Sequence, residues 1–172
     1  MAEADDRARL RSYLTAQSAK LSAADLRQRL EEAAAEFFAA VERGTDATAR
    51  QAPAEGQWTL SQIVDHVAVT LDDVTGIMRA LAAGRRPAGP MSSHEPANAG
   101  LPLDALVARL RRSQAAAVEF LAAQDAEPHV DLRVSDPAFG ELNWKGYALI
   151  LRLHYKDHAQ QARAALEALA SR

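Results

Sequence analysis

Hydrophobic residues recur along most of this chain at three- and four-residue spacings, which is the period of an amphipathic α-helix. One such stripe begins after Ser22 and ends at Gly44; its members are Leu26, Leu30, Ala33, Phe37 and Val41. A second stripe begins after Thr59 and ends at Gly84; its members are Ile63, His66, Thr70, Val74, Ile77 and Leu81. Because Val, Ile and Thr are too sparse to form alternating strands, the pattern predicts an all-α protein.

Two more stripes lie in the second half of the chain. The third ends near Gln124 and contains Leu103, Leu106, Leu110, Ala117 and Leu121. The last starts after Asn143 and continues to about Ala170; it contains Tyr147, Ile150, Leu151, His154, His158, Ala162, Ala165 and Leu169. Four amphipathic helices in one chain favour a four-helix bundle with a common core.

Capping residues mark the predicted helix starts, because their side chains accept hydrogen bonds from first-turn amides. Thr59 and Gln62 form a capping box, and we expect Trp58 to pack against Ile63 as a hydrophobic staple. Pro102 and Asp104 suit the first turn of the third helix. The remaining predicted caps are Ser22, with Asp25 three residues on, and Asn143.

Two segments fall outside the regular bundle pattern. The Pro- and Gly-rich stretch from Gly84 to Gly100 is too long for a tight turn between antiparallel neighbours, so we predict a crossover there. Residues 1–21 contain seven charged residues, with Leu10 and Leu14 at helical spacing, and predict a short N-terminal helical extension. We therefore divide the chain into an extension, 1–21, and a bundle domain, 22–172.

Composition narrows the classes of function. The chain has 172 residues, 48% of them hydrophobic, and a formal net charge of −3, which disfavours disorder and a nucleic-acid-binding surface. It has no cysteine, so thiol chemistry requires an external thiol. The sequence shows neither a secretory signal nor a membrane-spanning segment, and we expect a cytoplasmic protein with no membrane partner.

Three histidines form the candidate chemical site. His154 and His158 are four residues apart and share one helix face, and His66 lies on the inward stripe of another helix. Three neutral imidazoles favour Zn²⁺, Ni²⁺ or Fe²⁺ over Mg²⁺ or Ca²⁺. Three protein ligands also leave one position open for water or substrate, as in catalytic sites.

The other residues of interest have different predicted roles. Gln161 continues the ligand face, where it can hydrogen-bond a metal-bound water or another helix, and it is the candidate catalytic residue. Asp65 and Asp157 precede ligands and are turned away from the ion, so we expect solvated or outer-sphere carboxylates. His94 and His129 are expected as exposed loop residues, with a lid role as the alternative. We place two aromatic residues at the core rim, Trp144 and Tyr147.

Three segments resemble the DinB-like (DinB/YfiT) family of metal-binding four-helix bundles. They are WTLSQIVDHV at 58–67, PAFGELNW at 137–144 and HYKDHAQQ at 154–161. The resemblance covers the chain from Ser22 to its C-terminus. It implies an up-down-down-up bundle with a long crossover between helices two and three, and metal ligation by His66, His154 and His158, commonly to zinc or nickel. It also implies frequent homodimers.

The resemblance implies no single reaction, since some relatives use thiols such as bacillithiol or mycothiol and others are proposed hydrolases. The leading hypothesis is a metal-dependent enzyme that activates an external low-molecular-weight thiol for transfer to a small electrophile. One alternative is a hydrolase that uses metal-bound hydroxide. Another is a non-enzymatic, dimeric ligand-binding bundle.

Overall fold

The computed structural model describes residues 2–89 and 95–172, and the protein is 67% helical. These residues contain six helices: α1 (Ala2–Lys20), α2 (Ala23–Val41), α3 (Asp46–Ala49), α4 (Leu60–Ala82), α5 (Leu103–Ala122) and α6 (Trp144–Ala170). They also contain one antiparallel hairpin of two strands, β1 (Val134–Asp136) and β2 (Gly140–Leu142). The predicted all-α class is confirmed, with this small hairpin added.

Helices α2, α4, α5 and α6 form the predicted four-helix bundle. Each contacts two neighbours, in the cyclic order α2, α6, α4, α5, so the α2–α5 pair lies opposite the α4–α6 pair. The long connection joins α4 to α5, where the crossover was predicted. His94 belongs to this connection and lies outside the described residues, so its predicted exposure stays a prediction.

The predicted capping residues begin three of the bundle helices. The Thr59 amide donates to Gln62 Oε1 at 2.8 Å, and the Gln62 amide donates to Thr59 Oγ1 at 3.2 Å. Ser22 and Asp25 form the same reciprocal pair at the start of α2, and Asn143 accepts from the Gly146 amide at 3.0 Å. These short-range interactions set where α2, α4 and α6 begin.

Two aromatic residues expected at the core rim are instead completely buried. Trp144 and Tyr147 each expose 0% of their surface. The Trp144 indole donates to the Pro128 carbonyl at 2.9 Å and packs edge-on against Phe120. The rim placement was wrong for both rings, and for Trp144 the reason is that the segment before α6 folds back over the start of that helix.

The N-terminal segment is helical, as predicted, and α1 packs against α6. Leu14 on α1 is completely buried. The Arg11 guanidinium donates to the carbonyls of Pro137 and Ala138, between the two strands of the hairpin, at 3.2 and 3.3 Å. The Arg152 guanidinium donates to the Tyr13 hydroxyl at 3.2 Å. Helix α1 therefore covers part of the last bundle helix.

Two short elements were not predicted. The hairpin turn is held by Asp136, whose carboxylate accepts from the amides of Ala138 and Phe139 at 2.9 and 3.0 Å. Helix α3 carries Asp46, which accepts from the Leu103 amide at 2.7 Å and so joins this loop to the start of α5. Such short elements leave no periodic signal in the sequence.

No helix among the described residues combines the length and the apolar character needed to cross a membrane.

Candidate functional site

The three predicted histidines lie together between α4 and α6. One ring nitrogen from each of His66, His154 and His158 lies within 4.8 Å of the others. The His154 and His158 ring centroids are 4.3 Å apart, and each lies 4.9 Å from the His66 ring. Helix geometry explains the first pair, since residues four apart share a face, and packing of α4 against α6 adds the third imidazole.

The donor set fits a divalent transition metal. Imidazole nitrogens bind zinc at about 2.0–2.1 Å, so at tetrahedral angles two nitrogens on one ion lie about 3.3 Å apart. The nitrogens here lie within 4.8 Å of one another, so the most distant pair would approach by up to about 1.5 Å, which side-chain rotation supplies. His66 and His154 are half-buried and His158 is buried, as expected for ligands at the inner end of an accessible site.

Gln161 contacts the histidine ring one turn before it. His158 Nδ1 and Gln161 Oε1 are 2.7 Å apart. Because an amide oxygen only accepts hydrogen bonds, Nδ1 carries the proton, and a neutral ring then has its lone pair on Nε2. Gln161, which is exposed, thus selects the tautomer of His158 that presents Nε2 as a ligand.

His158 is held in the neutral form that metal ligation requires. Burial is the largest cause that lowers its pKa below the ordinary value, and the neighbouring His66 lowers it further. The hydrogen bond to Gln161 and the charge of Asp157 oppose this shift and do not reverse it. A neutral imidazole can donate its lone pair to a metal near neutral pH without first losing a proton.

Trp58 contributes to this site, a role that its interpretation as a helix staple did not include. Its ring centroid lies 4.8 Å from that of His66. It also lies 6.4 Å from that of His158, with the two rings inclined by only 12°. Trp58 immediately precedes the Thr59 cap, so the turn that starts α4 also places an indole over the imidazoles. Its position eight residues before His66, about two helical turns, could have indicated this role from the sequence.

An open cleft of about 790 Å³ leads to two of the histidines, His66 and His158. It is lined by the loop before α4 and by one face of α6, and its lining includes Gln57, Trp58, His66, Asp157, His158, Gln160 and Gln161. Asp157 is exposed there, as predicted. A volume of this size accommodates a small molecule.

Asp65 is completely buried, which corrects the expectation of a solvated carboxylate. Its Oδ1 accepts from the Arg109 guanidinium at 2.5 Å, and its Oδ2 accepts from the Asn98 amide at 2.7 Å. Asp65 therefore joins α4 to α5 and to the end of the crossover. The expectation failed because helical rotation away from the histidine cluster leads, at this position, into a contact with another helix and not into solvent.

His129 is exposed, as predicted. It has a positive φ of 53°, and its ring lies against the backbone of Gly84 at the end of α4, where a Cβ atom would come within 3.1 Å of the imidazole. It does not belong to the histidine cluster.

Two solved structures are similar in fold. A four-helix bundle protein, TT2238, is 24% identical with a TM-score of 0.65, and the match covers 83% of this chain and 99% of that one. A mycothiol-dependent maleylpyruvate isomerase is 15% identical with a TM-score of 0.68, and the match covers 84% of this chain and 62% of that one. No curated protein matches the sequence significantly.

The sequence itself places the chain in a family. The model of the DinB superfamily matches residues 29–162, which include α4, α5 and all three clustered histidines. Because this match spans most of the chain and agrees with the observed bundle, the protein belongs to the DinB superfamily.

Proposed function

We propose that this protein is a metal-dependent enzyme in which His66, His154 and His158 hold one divalent transition-metal ion. The observation that carries the proposal is the convergence of three imidazole nitrogens, within 4.8 Å of one another, at the inner end of a cleft. Three nitrogen ligands favour zinc, nickel or iron and leave coordination positions for an exogenous ligand. When bound, such an ion lowers the pKa of a coordinated thiol or water.

An external low-molecular-weight thiol is the co-substrate that the proposal favours, with a small electrophile as acceptor. The chain has no cysteine of its own. One structure of similar fold belongs to an enzyme described as mycothiol-dependent, which supports a thiol over water. The cleft has room for a thiol and an acceptor side by side.

Residues of the chain have distinct tasks in this proposal. The three imidazoles hold the ion, and Gln161 positions His158 through the 2.7 Å hydrogen bond to Nδ1. Trp58 covers one side of His66 and His158 and limits the approach of water to that side. Ligands therefore enter from the side lined by the exposed face of α6.

Elemental analysis of untagged protein, purified without chelators, tests the metal site. We expect close to one equivalent of zinc, nickel or iron, and its loss in His66→Ala and His154→Ala. His129→Asn is the matched control, because it removes a histidine outside the cluster and Asn tolerates a positive φ. Circular dichroism checks that each variant folds. Wild-type protein that stays metal-free after incubation with each ion would refute the proposal.

A substrate comparison tests the thiol. Metal-loaded protein is mixed with 1-chloro-2,4-dinitrobenzene and 2-mercaptoethanol, and separately with 4-nitrophenyl acetate and no thiol. We expect faster thioether formation in the first mixture, lost in His154→Ala. Ester hydrolysis without thioether formation would support the hydrolase instead. Unchanged activity in His154→Ala would contradict both enzymes.

A further inference from the structure

The charges around the cleft bear on which thiols it can accept. Among the described lining residues, Asp157 is a carboxylate, Gln57, Gln160 and Gln161 carry neutral amides, and none is Lys or Arg. Residues 90–94, outside the described part of the chain, have the sequence PMSSH and also contain no Lys or Arg. The described lining therefore offers hydrogen-bonding groups and one negative charge, and it contains no Lys or Arg side chain.

One cationic side chain contacts the backbone of a residue that lines the cleft. The guanidinium of Arg172 donates to the backbone carbonyls of Ala52 and Pro53, and Pro53 lines the cleft. Asp157 makes no ion pair with any residue that the structure describes. Its exposed carboxylate is therefore available to a ligand in the cleft.

Charge balance at the site also disfavours a second anionic group on the bound thiol. Three neutral imidazoles leave a divalent ion with its full double charge, which one thiolate and the Asp157 carboxylate neutralise together. A second anionic group on the thiol then meets Asp157, and no lining residue that the structure describes carries a Lys or Arg side chain to compensate it. A hydroxyl or amide group can bond to the glutamines, and an ammonium group can pair with Asp157 or lie on the Trp58 ring face.

We infer that the cleft selects thiols whose other groups are uncharged or cationic and discriminates against thiols that carry carboxylates, with Asp157 as the specificity-determining residue. This inference rests on the proposed function. At a separation of about 7 Å and an effective dielectric constant of about 50, one pair of unit charges changes an equilibrium constant by about fivefold.

Three thiols with the same two-carbon spacer test it: 2-mercaptoethanol, cysteamine and 3-mercaptopropionate. Each is titrated into cobalt-substituted protein, and the thiolate-to-cobalt charge-transfer absorption reports binding without turnover. The measured quantity is the ratio of dissociation constants for 3-mercaptopropionate and 2-mercaptoethanol. Comparing this ratio between wild type and variants cancels the intrinsic difference between the two thiols.

We expect Asp157→Asn to lower this ratio about fivefold and Asp157→Lys to lower it about 25-fold, since the second change both removes a negative charge and adds a positive one. Cysteamine binding should weaken in the same two variants. Glu31→Lys is the matched control, because it makes the same charge change in the α2–α5 groove on the opposite side of the bundle. Its ratio should equal that of the wild type.

Different results would overturn the selectivity among thiols and the thiol-dependent function. A ratio unchanged in Asp157→Asn and Asp157→Lys, with all thiols still binding, overturns the selectivity and leaves the thiol-dependent function intact. Cobalt-loaded protein that develops no charge-transfer band with any thiol overturns the thiol-dependent function and this inference together. An equal change in Glu31→Lys would assign the effect to net charge and overturn the role of Asp157.

Discussion

The buried carboxylate of Asp65 predicts a large loss of stability in Asp65→Ala. Asp65 exposes 0% of its surface and accepts three hydrogen bonds, at 2.5 Å from Arg109 and at 2.7 and 3.3 Å from Asn98. Removing one partner of a buried ion pair typically lowers the free energy of unfolding by about 3–5 kcal/mol. The side chain of Arg109 is 27% exposed and lies 3.6 Å from Asp72, so it is not left in a dry site.

We therefore expect the lower end of that range, about 3 kcal/mol, which for a chain of this size lowers Tm by about 6–12 °C. Urea unfolding of the metal-free protein, followed by circular dichroism, measures the free energy. Asp72→Ala is the control, because it removes a 52% exposed partner of the same guanidinium, and it should change the free energy by less than about 1 kcal/mol.

A double-mutant cycle separates the ion pair from the other effects of the substitution. Arg109→Met combined with Asp65→Leu should destabilise the protein by less than the sum of the single changes, because neither charge then stays without its partner. The reasoning is refuted if Asp65→Ala changes the free energy by less than about 1 kcal/mol at an unchanged denaturant slope. It is also refuted if Asp72→Ala is equally destabilising.

Three further predictions concern single side chains. Gln161→Ala should weaken metal binding about 10–100-fold in a competition titration with a chromophoric chelator, whereas Gln161→Glu should retain it, because a carboxylate also accepts from Nδ1. Tyr155→Phe should leave the urea-derived free energy of unfolding unchanged or raise it by up to about 1 kcal/mol, since the Tyr155 hydroxyl is completely buried without a hydrogen-bond partner among the described residues and burial raises its pKa. The free energy of unfolding of the metal-free protein should fall as the pH decreases from about 7 to 5, because the lowered pKa of His158 makes the unfolded chain bind the proton more readily than the folded one. His158→Gln should flatten this pH dependence. An identical slope in the two proteins would contradict the role of His158.

Helix boundaries and the inward-facing positions of the three histidines were predictable because both depend on spacing within a single helix. Capping pairs such as Thr59 and Gln62 act over three residues, and their consequences are the same in a peptide and in a protein. The i, i+4 spacing of His154 and His158 defines one helix face before any tertiary contact forms. Placing His66 opposite that face needed only the inward stripe of α4.

The environments of Trp58, Asp65 and Trp144 were not predictable from the same rules. Periodicity separates inward from outward faces of a single helix, but it does not say which neighbour covers an outward position. Asp65 points away from the histidine cluster and contacts Arg109, which is far away along the chain. Trp144 is covered by Pro128, in a loop without a repeating pattern. Long-range packing decides these cases.

The histidine cluster joins residues from the second and the last helices of the bundle, and this has a consequence for biosynthesis. A chain is made from its N-terminus, so His66 is present long before His154 and His158 leave the ribosome. An incomplete chain that ends before α6 has only one of the three imidazoles. The metal binding proposed for this cluster therefore requires that α6 has been synthesised, and truncated products that end before α6 would be distinguished from finished ones by their inability to retain the ion.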